Sequence, residues 1–88
     1  MKRYYVVYEG RVQGVGFRFH LYKIAVSLNV TGYVRNMCNG NVEAEIQGEN
    51  VDAFIKKSLE KDRFIQVYNY SVKSIPVIED EREFSVRY

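Results

Sequence analysis

Eighty-eight residues, 47% hydrophobic and 27% charged, can build one modest core and no second one. Thirteen Lys and Arg against eleven Asp and Glu leave a net charge of +2, too mild for a protein that grips a nucleic-acid backbone. A lone cysteine, Cys38, excludes an internal disulfide and a cysteine-based zinc site. No apolar run reaches membrane-spanning length, and the opening "MKRYYVVYEG" lacks the apolar stretch of a signal peptide. The expectation is one domain over 1–88 in a reducing compartment, most simply the cytoplasm, with no membrane and no nucleic acid as partner.

Taken in chain order, Arg3 to Glu9 is β-branched and aromatic and predicts a strand. A glycine-rich loop follows. Phe17, Leu21, Ile24, Ala25 and Leu28 then recur at the spacing of an amphipathic helix, which Asn29 can end. Thr31 to Met37 predicts a second strand. Asn39-Gly40 is a short hairpin turn signal. Beyond it Val42, Ala44 and Ile46 alternate with Glu43, Glu45 and Gln47, the pattern of a half-buried strand. Asn50 is placed to cap a second helix, whose buried stripe is Val51, Phe54, Ile55 and Leu59. The stretch from Phe64 to Ile78 predicts a further strand, with Pro76 pointing to an edge or to the end of pairing. A charged turn, "EDERE", leads to a short closing strand, "FSVRY". The order is that of an α+β, ferredoxin-like βαββαβ sandwich: an antiparallel or mixed sheet with two helices on one face.

The loop "GRVQGVGFR", residues 10–18, is poor in large side chains and ends on Arg18. Glycines between a strand and a helix allow positive φ and a close approach of backbone to ligand. The first N–H groups of a helix lack internal partners and sit at the positive end of its dipole. With a guanidinium beside them they can cradle a phosphate. On its own the loop is equally well explained as a plain turn. It is neither a Walker loop nor a dinucleotide motif, since no Gly-Lys-Ser/Thr occurs and Phe19 stands where a third glycine belongs. Val12 occupies the position a phosphatase cysteine would need, and Asp52, Asp62 and Asp80 form no D-x-D pair. A phosphate site here therefore has no covalent nucleophile and no metal cage. The second stretch, "GYVRNMCNGNV", puts Asn36 on the face of Val34, opposite Tyr33 and Arg35. Alone, Asn36 reads best as a turn residue.

Together the two stretches resemble the signatures of the acylphosphatase family. "GRVQGVGFR" matches a G-basic-V-Q-G-V-x-F-R run at every fixed position, and "GYVRNMCNGNV" fits a G-aromatic-V-basic-N run followed by G-x-V. Element order, length and the "FSVRY" ending are also similar. The resemblance implies a small-molecule acyl phosphate substrate, hydrolysed at its carboxyl–phosphate bond by a metal-independent, cofactor-free monomer. It implies that Arg18 and the backbone of Gln13, Gly14, Val15, Gly16, Phe17 and Arg18 hold the phosphate. It implies that Asn36 orients the attacking water. Met37 and Cys38 follow Asn36 where many members carry a hydroxyl residue or Leu-Pro.

Other residues invite other readings. His20, the only histidine, lies off the apolar stripe and is read as a surface or half-buried side chain. Cys38 is read as incidental. Tyr4, Tyr5, Tyr8, Tyr68 and Tyr70 fall on strands and could stack single-stranded RNA. The paired-aromatic RNA-binding signature is missing, so sheet packing is the better reading.

Overall fold

The computed structural model describes Met1–Tyr88. Seven elements follow one another: β1 (Lys2–Arg11), α1 (Phe17–Leu28), β2 (Thr31–Asn36), β3 (Val42–Gly48), α2 (Val51–Ser58), β4 (Gln66–Ile75) and β5 (Phe84–Arg87). The five strands form one mixed sheet in the order β4-β1-β3-β2-β5, with β5 parallel to β2 and the other pairs antiparallel. This is the ferredoxin-like plan, extended by the short strand β5.

Strand alternation decides which side chains reach the helices. Val6 and Tyr8 of β1, Val34 of β2, and Val42, Ala44 and Ile46 of β3 all lie on one face and are buried. Phe17, Leu21, Ile24 and Ala25 of α1 and Val51 and Phe54 of α2 complete that core. The Tyr8 ring meets Phe17 edge to face at 4.9 Å, and its hydroxyl donates to Ser58 Oγ at 2.8 Å. Burying a Tyr is tolerable here because its one polar atom finds a partner. The contact also seats Phe17, the first residue of α1, firmly on the sheet.

The opposite face is held by charge. Arg3, only 1% exposed at its side chain, reaches Glu45 at 2.9 Å, Glu81 at 2.8 Å and Gln47 at 3.1 Å. Thr31 Oγ1 donates to the same Glu81 at 2.7 Å, and Gln47 exchanges two hydrogen bonds with the backbone of Ile78. Burial lowers the affinity of Arg3 for its proton, but the bonds it donates to Glu81 and Glu45 outweigh this and its pKa is raised. The strap between β4 and β5 must cross this face, because the two strands are opposite edges of the sheet. The Arg3 network fixes that crossing and so delivers β5 beside β2.

Boundaries differ from expectation in three instructive places. Asn39-Gly40 does not make a two-residue hairpin. The β2–β3 ladder ends at the pair Asn36–Val42, leaving a five-residue turn from Met37 to Asn41. The tight turn needs positive φ at both central residues, and only Gly40 has it. Asn39 instead accepts a bond from the Asn41 N–H at 3.0 Å. Asn50 does stand at the start of α2, yet its side chain makes no cap and donates to the Leu28 carbonyl at 3.0 Å, joining the two helices. In α2, Ser58 is buried while Ile55 and Leu59 are half-buried, because the Tyr8 hydroxyl calls a polar partner into the core. As expected from Pro76, β4 is an edge strand and ends at Ile75.

Candidate active site

The site sits where β1 hands over to α1. A register shift at Glu9/Gly10 twists the end of β1 out of its regular pairing with β4 and into the loop. In the loop Gly14 has φ of 73° and Gly16 φ of 79°, while Gln13 and Val15 keep negative φ. A Cβ on either glycine would meet nothing within 4 Å. Glycine is needed there for its backbone conformation and not for space. Alternation of left-handed and ordinary residues curls successive peptide units into a concave nest of N–H groups.

Gly16 also stands at the N-cap of α1, with no side-chain cap and no acidic residue in the first turn. The first helical bond runs from His20 N–H to Gly16 carbonyl at 3.0 Å, so Phe17, Arg18 and Phe19 have N–H groups without helical partners. Capping by a carboxylate or hydroxyl is the usual remedy. Its absence leaves the positive end of the helix open to an anion.

Arg18 points into this region from the first turn. Its Nη1 donates to the Arg87 carbonyl at 2.9 Å, and its guanidinium lies 4.7 Å from the centre of the Tyr88 ring. No carboxylate is within ion-pair distance of it, unlike Arg3 or Arg35. Asn36 comes from the last position of β2, on the helix-facing side. Its Oδ1 is buried and meets no donor in the protein. A buried acceptor left unpaired costs about 1–3 kcal/mol. Such a cost is commonly met at functional sites.

These groups share one cavity of about 240 Å³. Gly14, Gly16, Arg18 and Asn36 supply its polar side; Val12, Phe17, Phe19, Val86 and Tyr88 supply the rest. Of the residues expected to hold phosphate, Gly14, Gly16, Phe17 and Arg18 line the cavity. Gln13 and Val15 do not. Val15 packs against the core, and Gln13 turns its side chain to the hairpin. There Gln13 Nε2 donates to the carbonyls of Met37 at 2.7 Å and Asn41 at 2.8 Å. It ties the loop to the turn that immediately follows Asn36. That tie, the Arg87 carbonyl and the Tyr88 ring were not foreseen from sequence. The only signal for the last two was the similarity of the "FSVRY" ending.

Other candidates fall where the residues suggested, with two tyrosines as exceptions. His20 is half-buried and stacked 6.3 Å from Phe17, outside the cavity. Cys38 is exposed. Tyr8 is core, whereas Tyr68 and Tyr70 are 74% and 44% exposed. Both border a groove of about 740 Å³ between β4 and the segment that leads into it from α2, which gathers neither Arg18 nor Asn36. No helix is long and apolar enough to cross a membrane.

Fold and site together define an α+β sandwich with an open helix N-terminus, a glycine nest and one arginine free of carboxylates. The acylphosphatase family model matches residues 4–86. An acylphosphatase from Clostridium beijerinckii is 40% identical over 90 residues, spanning 100% of both chains. One from Geobacillus kaustophilus is 37% identical, over 100% of this chain and 96% of its own. The crystal structure of acylphosphatase from Bacillus subtilis superposes with a TM-score of 0.92 at 33% identity, covering 100% of each chain. The chain belongs to the acylphosphatase family, a family of hydrolases.

Proposed function

We propose that this chain hydrolyses acyl phosphates to carboxylate and inorganic phosphate, with Arg18 and Asn36 as its catalytic residues. The observation that carries the reading is the pairing of Arg18, which no carboxylate neutralises, with the partnerless buried Oδ1 of Asn36 across one cavity. The backbone N–H groups of the 13–18 loop and the Arg18 fork hold the phosphoryl oxygens. Asn36 Oδ1 accepts a hydrogen bond from water and aims its lone pair at phosphorus. The new P–O bond forms as the bond to the acyl oxygen breaks, and its electron pair leaves with the carboxylate. The water proton passes to a phosphoryl oxygen.

This chemistry asks little of acids, bases or metals. An acyl phosphate is a mixed anhydride with a good leaving group, so positioning and charge stabilisation supply most of the catalysis. Only Arg18 among the cavity side chains carries charge at neutral pH. In this reading residues 1–88 act as one domain and as a monomer, without cofactor, metal, nucleic acid or membrane, and in the cytoplasm. The test is release of phosphate from an acyl phosphate in the presence of a chelator. Turnover undiminished by the chelator is expected; no turnover, or turnover restored only by added metal, sinks the reading.

A further inference from the structure

The phosphate cradle accounts for half of the cavity; the other half is apolar. Phe19 and Tyr88 face its mouth and are 61% and 95% exposed, with Val86 half-buried between strand and solvent. Folding does not explain Phe19. The buried stripe of α1 is Phe17, Leu21, Ile24 and Ala25, and Phe19 points away from it. Yet its ring is not free. It stacks on Tyr22 at 6.2 Å and 14°, and Lys23 Nζ lies 5.3 Å from its centre. Together with Val86 and Tyr88 it presents an apolar surface at the cavity mouth. The surface begins where the anion site ends, since Arg18 itself rests on the Tyr88 ring. No carboxylate or amide side chain other than that of Asn36 lines the cavity.

Resting on the reading that acyl phosphates are hydrolysed here, we propose that Phe19, Val86 and Tyr88 form a ledge for the acyl group, selecting extended apolar acyl chains over short ones. An acyl phosphate is an anion joined to whatever its carboxylic acid carries. Once the phosphoryl group is in the nest, the acyl chain leaves through the cavity mouth across these three side chains. Apolar contact there removes hydrocarbon from water in both the bound substrate and the transition state. The occupant is thus fixed by continuity with the cradle. Phe19 acts by binding, not by chemistry.

The experiment compares acetyl, butanoyl and hexanoyl phosphate, whose carboxylate leaving groups have nearly equal basicity. On an open ledge each added methylene is worth about twofold, half or less of what full burial gives, so kcat/KM rises about fifteenfold over the four methylenes from acetyl to hexanoyl, mainly through KM. Phe19→Ser cuts that rise to about twofold, and Phe19→Leu keeps most of it. Val26→Ser, on the exposed side of α1 outside the cavity, leaves the gradient at its wild-type slope. Circular dichroism confirms that each variant is folded. A flat series in the wild-type protein, or a gradient that survives Phe19→Ser, overturns the ledge while leaving acyl phosphate hydrolysis intact. No turnover of any of the three overturns hydrolysis and the ledge together.

Discussion

Arg3 and Arg18 lie on opposite sides of the same sheet and do opposite things with the same group. Arg3 is sealed in: two carboxylates and an amide take up its guanidinium, and almost none of it meets water. Arg18 is half-buried, gives one bond to a main-chain carbonyl and rests on a ring. A guanidinium keeps its charge in either setting. What differs is whether the charge is already answered. At Arg3 it is, and the result is a strap across the sheet. At Arg18 it is not, and the remaining donors face a nest of unpartnered N–H groups. Burial and pairing mark the structural arginine; incomplete pairing beside open N–H groups marks the one that can receive substrate.

The sharpest way to break this contrast is to remove each arginine. Arg18→Ala lowers kcat/KM for an acyl phosphate by about 10⁴-fold, the scale on which a guanidinium stabilises phosphoryl transfer. Its thermal midpoint barely moves, since water replaces the exposed bond to the Arg87 carbonyl. Arg3→Ala reverses the pattern. It strands Glu45 and Glu81 without their cation and costs about 4 kcal/mol of stability. Activity per folded molecule, measured well below the new midpoint, stays within about threefold. Thermal melts and kinetics on both variants decide the matter. A large loss of stability in Arg18→Ala, or of intrinsic activity in Arg3→Ala, would erase the distinction.

Asn36 and Gln13 test how finely the site is held. Asn36→Ala removes the group that aims the water and lowers kcat by about 10²-fold, with inorganic phosphate still inhibiting at wild-type concentration. Gln13 acts one step back, as a positioning residue. Gln13→Leu leaves the Met37 and Asn41 carbonyls without their donor and costs about 2 kcal/mol. Because the turn next to Asn36 is loosened, kcat falls about tenfold while KM changes little. A melt shifted down with kcat intact would make Gln13 a strut of the fold and nothing more.

How much of this could be read from the chain depends on the range of each interaction. The alternation of Val42, Ala44 and Ile46 and the helical spacing from Phe17 to Ala25 are local patterns, and they placed the sheet face and the helix that carry the site. The glycines and Arg18 were visible because a loop motif is contiguous. What stayed hidden was long-range pairing. Nothing near Arg3 in sequence announces Glu45 or Glu81, and nothing near Gln13 announces the carbonyl of Met37. Asn50 and Asn39-Gly40 show the converse. Their local signals were sound, but a neighbouring helix end claimed the first and the register of β2 with β3 overruled the second. The partnerless Oδ1 of Asn36 belongs to this hidden class as well, since only packing shows that no donor reaches it.

The smallest expected effect separates the two faces by pH. Tyr33 lies on the Arg3 side of the sheet, where its hydroxyl donates to Glu45 Oε2 at 3.1 Å. Burial, and then that bond, push its pKa from 10.0 up to about 12. A phenol whose folded pKa is raised contributes stability in full below its unfolded value of 10.0 and loses it as pH climbs toward about 12. Tyr5, raised by its hydrogen bond to Glu43 and then by burial, slopes the same way. The denaturation midpoint therefore declines across that window, and Tyr33→Phe makes the decline shallower. Arg18 keeps its charge there and the Asn36 amide does not titrate. Initial rates corrected for the folded fraction, measured on Tyr88→Phe so that no phenol lines the cavity, should consequently stay level while stability drops. If the corrected rate and the midpoint instead fell together, and Tyr33→Phe restored both, the charged face would be coupled to the site through β5 and Arg87, whose guanidinium lies 4.0 Å from the Tyr33 ring.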